Sequence, residues 1–202
     1  MPSADPAGSA GGAPPGPDAD LPRFAAIGEE VVHRGRIITV TRSRFVDPDG
    51  RAFERDVVRH PGAVAMVAVT GADAVVLVHQ YRPAVDRWLL EIPAGTSDVE
   101  GEDPAEAARR ELAEEAGYAA EEMTLLTRCA ITPGFCDEFS SVFACTGLTP
   151  VPVDRQGTEE RFMRIEEVPL SRFDGLVDAG LIVDATTILG VGLARRRLAS
   201  LR

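Results

Sequence analysis

Three glutamates with helical spacing are the residues of this chain best suited to do chemistry. Glu111, Glu114 and Glu115 stand at offsets of zero, three and four. Residues three and four positions apart share one face of an α-helix, so three like charges converge there. A cation among them removes that conflict, and oxygen ligands suit a hard divalent ion such as Mg²⁺ or Mn²⁺, which commonly binds phosphates as well. The spacing therefore predicts a metal site for a diphosphate.

The residues around the glutamates predict the helix that must position them. Asp103 is a suitable N-cap, Pro104 suits the first helical position, and Gly117 is a typical left-handed stop. We therefore expect a helix from Pro104 to Ala116. A solvated acidic helix, with neighbouring arginines as ion-pair partners, is the alternative that the local pattern leaves open.

The order of these residues resembles the Nudix box. That pattern is a glycine, five residues, a glutamate, seven residues, then Arg-Glu-hydrophobic, one residue, Glu-Glu, one residue and Gly-hydrophobic. Seven residues separate Glu102 from the run Arg110 to Tyr118, and this second part of the pattern fits throughout. Six residues, not five, separate Gly95 from Glu102. The departure concerns only the loop before the helix and leaves the helical positions unchanged.

The resemblance implies a metal-dependent hydrolase and assigns roles within the box. Glu111 and Glu115 would hold Mg²⁺, with Mn²⁺ as an alternative, and the Ala94 carbonyl would be a further ligand. Glu114 would complete the metal site or support it from outside. Arg110 would hold a glutamate in position through paired hydrogen bonds.

A second acidic segment, residues 157–160, precedes a strand predicted at about Arg161–Ile165. In the enzymes that this chain resembles, a glutamate on a loop before a late strand orients or deprotonates the attacking water. Glu159 and Glu160 both occupy that place, and the choice between them stays open. A solvated loop pair is the alternative for either residue.

Short motifs outside the box resemble Nudix enzymes that act on ADP-ribose. Pro133, followed by Gly134, lies fifteen residues after Tyr118, and residues 80–83 (QYRP) and 90–95 (LEIPAG) also resemble those enzymes. The expected reaction is hydrolysis of ADP-ribose to AMP and ribose 5-phosphate. A Nudix enzyme for another nucleoside diphosphate derivative and a non-catalytic ADP-ribose sensor are the alternatives.

Four residues outside the box, together with Pro133 and Gly134, are candidate substrate contacts. Arg82 is a candidate for the diphosphate because a guanidinium fork matches phosphate oxygens, although a surface ion pair is the alternative. Phe53 could stack on adenine or simply pack. Arg55 and Arg59 could contact the nucleotide or face water.

The fold class expected from the pattern is α/β (α+β), because strands and helices follow one another in mixed order. The resemblance implies a Nudix-type α/β/α sandwich with a mixed sheet. We expect a disordered tail at 1–22, a small N-terminal antiparallel β-sheet at 23–60 and the Nudix domain at 61–202. By resemblance, the N-terminal sheet would pair two subunits in a homodimer.

Composition narrows the class of partner. A net charge of −11 argues against nucleic acid and anionic membranes, and leaves a small molecule as the expected partner. Three cysteines without a C-x-x-C pair predict neither disulfides nor a zinc site. No apolar run reaches membrane-spanning length and no secretion signal is recognisable, so we expect a cytoplasmic protein.

Overall fold

The N-terminal region forms a separate antiparallel sheet. The computed structural model describes residues 21–97, 99, 101–155 and 157–199, so the predicted disordered tail lies almost wholly outside the described residues. The sheet consists of β1 (Ala25–Arg34), β2 (Thr39–Val46) and β3 (Ala52–Arg59), in that order. The prediction of a small antiparallel sheet before the main domain is confirmed.

Two further sheets and three helices build the main domain. One sheet has the order β10-β5-β6 and the other the order β7-β4-β9-β8, in which β4 and β9 are parallel and the remaining pairs antiparallel. The strands are β4 (Ala63–Ala68), β5 (Ala74–Arg82), β6 (Arg87–Glu91), β7 (Ala94–Thr96), β8 (Tyr118–Ala130), β9 (Phe139–Pro150) and β10 (Arg164–Pro169). The helices are α1 (Pro104–Ala116), α2 (Leu170–Asp178) and α3 (Ala185–Ala199).

Strand β4 lies at the centre of a sandwich because both of its faces are buried. Ala65 and Val67 belong to one core cluster, which also contains residues of α2 and α3. Val64 and Met66 belong to a second cluster, which contains Leu112 of α1. Successive side chains of a strand point to opposite faces, so the continuous apolar run of β4 places helices on both sides. The predicted α/β sandwich with a mixed sheet is confirmed.

One predicted strand was misplaced. The segment expected to be extended from Arg161 begins instead with a 3-10 turn over Glu160–Phe162, and β10 starts only at Arg164. The amide of Met163 donates to the carbonyl of Glu160 over 3.0 Å, which closes the turn. This local hydrogen bond turns the backbone at the place where the apolar residues of the segment had suggested an extended strand. None of the helices in the described ranges is both long and apolar enough to cross a bilayer.

Helix α1 begins and ends where the sequence predicts. The Asp103 carboxylate accepts a hydrogen bond of 2.8 Å from the amide of Ala105, and Gly117 has a left-handed φ of 69°. The amide of Gly117 donates to the Ala113 carbonyl over 3.1 Å. Both ends of the helix are therefore fixed by local chemistry.

The N-cap of α1 should contribute measurably to stability. Replacing Asp103 with alanine removes the acceptor for the first amides, so we expect the free energy of unfolding to fall by about 1 kcal/mol. Asp103→Asn keeps an acceptor and is the matched control, with a much smaller loss. Urea unfolding followed by circular dichroism measures both. Equal stability of the alanine and asparagine variants would contradict the role of the cap.

Candidate active site

Glu115 is the most deeply buried of the three helical glutamates. Only 4% of the residue is exposed, and its carboxylate accepts a hydrogen bond of 3.1 Å from the amide of Ala94 on β7. Burial and then the negative charge of Glu111 raise the pKa of Glu115 to about 8, although the Ala94 amide opposes the rise. At neutral pH, this carboxyl group therefore stays ionised only with a cation beside it.

Glu111 lies so close to the backbone of β7 that a side chain at position 95 would overlap it in its observed position. A methyl group built on Gly95 would overlap the side-chain carbons of Glu111 and lie 2.5 Å from its Oε2. Burial raises the pKa of Glu111, Arg110 opposes that effect, and the charges of Glu114 and Glu160 add to it. The close approach of the Glu111 side chain therefore explains why the motif has a glycine at position 95.

Arg110 connects the loop before α1 to the helical glutamates. Its Nε and Nη2 donate to the two carboxylate oxygens of Glu102 over 3.3 and 3.1 Å. Its Nη1 donates to Glu111 over 2.7 Å and to Glu114 over 3.4 Å. One guanidinium therefore holds three carboxylates. The ion pairs that the alternative interpretation of the acidic helix predicted are thus present at Arg110.

The donor set suits a hard divalent cation. All the candidate side-chain ligands are carboxylates, and the buried Glu115 lies near the like-charged Glu111 and Glu160. In the described ranges, however, no three His, Cys, Asp or Glu side chains are already gathered as a metal site. Arg110 occupies the neighbourhood of Glu111 and Glu114 instead. The metal roles of these glutamates and of the Ala94 carbonyl stay predictions.

The glutamates open into a polar cavity of about 500 Å³, called here the carboxylate cavity. Its walls come from the β1–β2 turn, the end of β5, strand β7, helix α1 and the segment before β10. The lining residues are Arg36, Ile37, Gln80, Tyr81, Arg82, Pro83, Ala94, Gly95, Thr96, Arg110, Glu111, Glu114, Glu115, Gly157, Glu159 and Glu160. The structure thus brings Glu159, Glu160 and Arg82 to the same cavity as the helical glutamates.

Arg82 is held rigidly at the edge of this cavity. Its Nε lies 3.2 and 3.0 Å from the two oxygens of Glu91, and its Nη2 lies 2.6 Å from Oε2. Glu91 is 3% exposed, whereas the Arg82 side chain keeps 39% of its surface exposed toward solvent. The position of the guanidinium is therefore set before any ligand arrives.

Four other substrate candidates line a different cavity. Phe53, Arg55, Pro133 and Gly134 meet in an apolar cavity of about 370 Å³ that shares no lining residue with the carboxylate cavity. Arg59 lines neither cavity, but it pairs with Glu29 over 2.6 Å and with Asp137, which lines the apolar cavity, over 3.1 Å. Within one chain, these five residues are not brought to the glutamates.

Sequence reasoning missed Arg155, which joins α1 to the segment carrying Glu159 and Glu160. Its Nε and Nη2 donate to the carbonyl of Glu115 over 3.2 and 3.0 Å, and its Nη1 donates to the carbonyl of Met163 over 2.8 Å. Arg36 and Ile37 were also missed as lining residues. No local signal marks them, because each contact spans distant parts of the chain.

Helix α1 presents glutamates and an arginine to a polar cavity on one side of an α/β sandwich, and the comparisons with known proteins identify this arrangement as that of a hydrolase. The NUDIX domain model matches residues 59–182, and the chain belongs to the Nudix family. Members of this family generally use divalent metal ions.

Two relatives and one solved structure indicate the branch of the family. The chain is 36% identical to an ADP-ribose pyrophosphatase of Bacillus subtilis (strain 168), over 82% of this chain and 89% of the relative. It is 38% identical to an ADP-ribose pyrophosphatase of Mycobacterium tuberculosis (strain ATCC 25618 / H37Rv), over 83% and 81% respectively. The crystal structure of an ADP compounds hydrolase matches with a TM-score of 0.76 at 25% identity, over 89% of this chain and 96% of that one.

Proposed function

We propose that this protein hydrolyses the diphosphate bond of ADP-ribose in a Mg²⁺-dependent reaction, giving AMP and ribose 5-phosphate. The observation that carries the proposal is the carboxylate cavity, in which Arg82 faces the region of Glu111, Glu115 and Glu159. The names of the two relatives support ADP-ribose as the substrate. An anionic diphosphate could approach so many glutamates only with a cation and with arginines at the rim.

The residues divide the reaction between them. Glu111 and Glu115, with the Ala94 carbonyl, would hold Mg²⁺, which when bound neutralises the diphosphate and acidifies a coordinated water. Arg82 binds a phosphate oxygen through Nη1, which takes no part in its pair with Glu91. Water attacks one phosphorus atom, Glu159 accepts its proton, and the bond to the bridging oxygen breaks. Glu160 is the second candidate for the base, although its Oε2 accepts a bond of 2.9 Å from the amide of Gly157.

A substrate panel tests the proposal. ADP-ribose, ADP-glucose, reduced NAD and CDP-choline are incubated with the protein in Mg²⁺, in Mn²⁺ or in EDTA, and the products are separated by ion-exchange chromatography. We expect the highest kcat/KM for ADP-ribose, with AMP and ribose 5-phosphate formed in equal amounts and no turnover in EDTA. A higher kcat/KM for another diphosphate would identify a different Nudix hydrolase. Binding of ADP-ribose without any cleavage would favour a sensor.

Arg155 is expected to act as a positioning residue for the proposed base. In Arg155→Lys a single ammonium replaces a fork that serves two carbonyls, so the segment of Glu159 should lose its fixed distance from Glu115. We expect kcat to fall about tenfold while KM changes little, since a misplaced base affects the chemical step more than binding. The exposed Arg172→Lys is the control, and steady-state kinetics measure both. A rise in KM alone would contradict this role.

The N-terminal sheet is proposed to pair two subunits. Ile27, Val31 and Val32 of β1 are 51%, 41% and 54% exposed, which leaves apolar surface on a strand that, among the described residues, pairs with β2 alone. Light scattering at micromolar concentration should give the mass of a dimer. Val32→Asp should shift the mass toward a monomer, whereas Leu181→Asp, at an exposed site after α2, should not. A monomeric wild-type mass would contradict the proposal.

A further inference from the structure

A groove separate from the carboxylate cavity exposes two large aromatic side chains. It has a volume of about 410 Å³ and is lined by His79, Trp88, Phe162 and Arg164; we call it the aromatic groove. Trp88 is 50% exposed and Phe162 is 65% exposed. Two aromatic surfaces of this size facing one groove offer a place for a planar ligand, because stacking is favourable for any ring system.

The charges of the aromatic groove favour an anionic ligand. Within the described residues, the side chain of Arg164 makes no hydrogen bond or ion pair, so its guanidinium is available. Glu166, a carboxylate beside the groove, lies 2.7 Å from Nε2 of His79 and so has a partner within the chain. A planar ring together with a phosphate matches this combination, since arginine binds phosphate oxygens through paired hydrogen bonds.

Two contacts connect the aromatic groove to the carboxylate cavity. The ring of Trp88 lies 5.8 Å from that of Tyr81, which lines the cavity. Phe162 ends the turn that begins at Glu160, and its amide donates to the carbonyl of Glu159 over 3.0 Å. A ligand that immobilises Phe162 therefore also restrains both candidate bases.

We propose that the aromatic groove binds a mononucleotide, with its base stacked on Trp88 and Phe162 and its phosphate on Arg164. Binding there orders the segment that carries Glu159 and Glu160. The site is distinct from the one at which the diphosphate is cleaved, so the binding part of the proposal stands independently of the proposed substrate.

Trp88 provides the assay because it is the only tryptophan of the chain. AMP is titrated in EDTA while the tryptophan emission is recorded, and we expect saturable quenching that ribose 5-phosphate does not produce. Phe162→Ala and Arg164→Gln should each weaken AMP binding about tenfold, as expected for loss of one stacking or phosphate contact. Arg172→Gln, at an exposed arginine of α2, is the matched control and should leave the titration unchanged.

A second arm separates the groove from the carboxylate cavity. Methylenediphosphonate with Mg²⁺, which cannot be hydrolysed, should fill the cavity and leave the quenching by AMP in place. Displacement of AMP by this compound would overturn the proposal. A tryptophan emission that changes when the protein is diluted, but not when AMP is added, would also overturn it. The coupling is measured by hydrogen exchange: AMP should slow exchange of the amides at 157–163, and an unchanged rate would contradict the ordering of that segment.

Discussion

With Glu115 as the proposed Mg²⁺ ligand, Glu115→Gln is expected to lower kcat/KM for ADP-ribose at least about a thousandfold, because loss of a metal ligand removes several kcal/mol of transition-state stabilisation. The carboxamide has nearly the same shape, but it carries no charge to bind a divalent cation. Saturating Mg²⁺ should therefore not restore activity. Turnover is measured as AMP released, and near-wild-type turnover in saturating Mg²⁺ would contradict the assignment of Glu115 as a ligand.

The same variant should keep its fold, which separates chemistry from stability. The Glu115 carboxyl has a folded-state pKa of about 8 against an ordinary value of 4.5. The folded protein thus binds more protons than the unfolded chain between these values, so its stability in EDTA decreases as the pH rises through that range. Glutamine cannot ionise and avoids this loss. In EDTA at pH 8, Glu115→Gln should be at least as stable to urea as the wild type, and a less stable variant would contradict the pKa assignment.

Gly95→Ala is expected to cost about a hundredfold in kcat/KM, because a misplacement of roughly 1 Å at a reacting group has effects of that size. The new methyl group would take the space of the Glu111 carboxylate. Cγ of Glu111 would also overlap the methyl group, so the side chain has to take another rotamer to move its carboxylate away. No backbone atom is among these contacts, so the free energy of unfolding should change little. Activity and urea stability of the purified variant test the two statements separately.

Gly71→Ala is the matched control for this substitution. Nothing lies within 4 Å of a methyl group at Gly71, and the residue has no left-handed φ. It should retain wild-type kcat/KM. If Gly95→Ala behaved in the same way, Glu111 would not need its observed place. A large loss of stability in Gly95→Ala would instead show that the backbone of β7 has to move.

The parts of the fold that the sequence predicts are those with local causes. Helix α1 is bounded by Asp103 and Gly117, each of which acts within one turn of the helix end. The turn at Asp47 is of the same kind, since its carboxylate accepts from the amides of Asp49 and Arg51 over 3.0 and 2.8 Å. The 3-10 turn at Glu160–Phe162 was missed because a short apolar run fits either structure.

The parts of the site that the sequence could not predict depend on contacts across the chain. Arg155 meets the carbonyl of Glu115 from forty positions away. Arg36 reaches the carboxylate cavity from a different sheet. Phe53 and Pro133, both predicted as candidate substrate contacts, do lie together, but in a cavity apart from the glutamates. Residue types and their spacing along the chain do not show which distant residues come into contact in the folded protein.

The walls of the carboxylate cavity have an evolutionary consequence. Helix α1 and strand β7 hold the glutamates, whereas the opposite walls are turns at 35–37 and 157–160 from other parts of the chain. Turns accept insertions and replacements with little cost to the fold. Descendants of such a chain could therefore exchange one leaving group for another by remodelling the turn at 35–37, while inheriting the hydrolytic helix and the segment of Glu159 and Glu160 unchanged. Grafting the turn at 35–37 between relatives is the corresponding route for laboratory evolution.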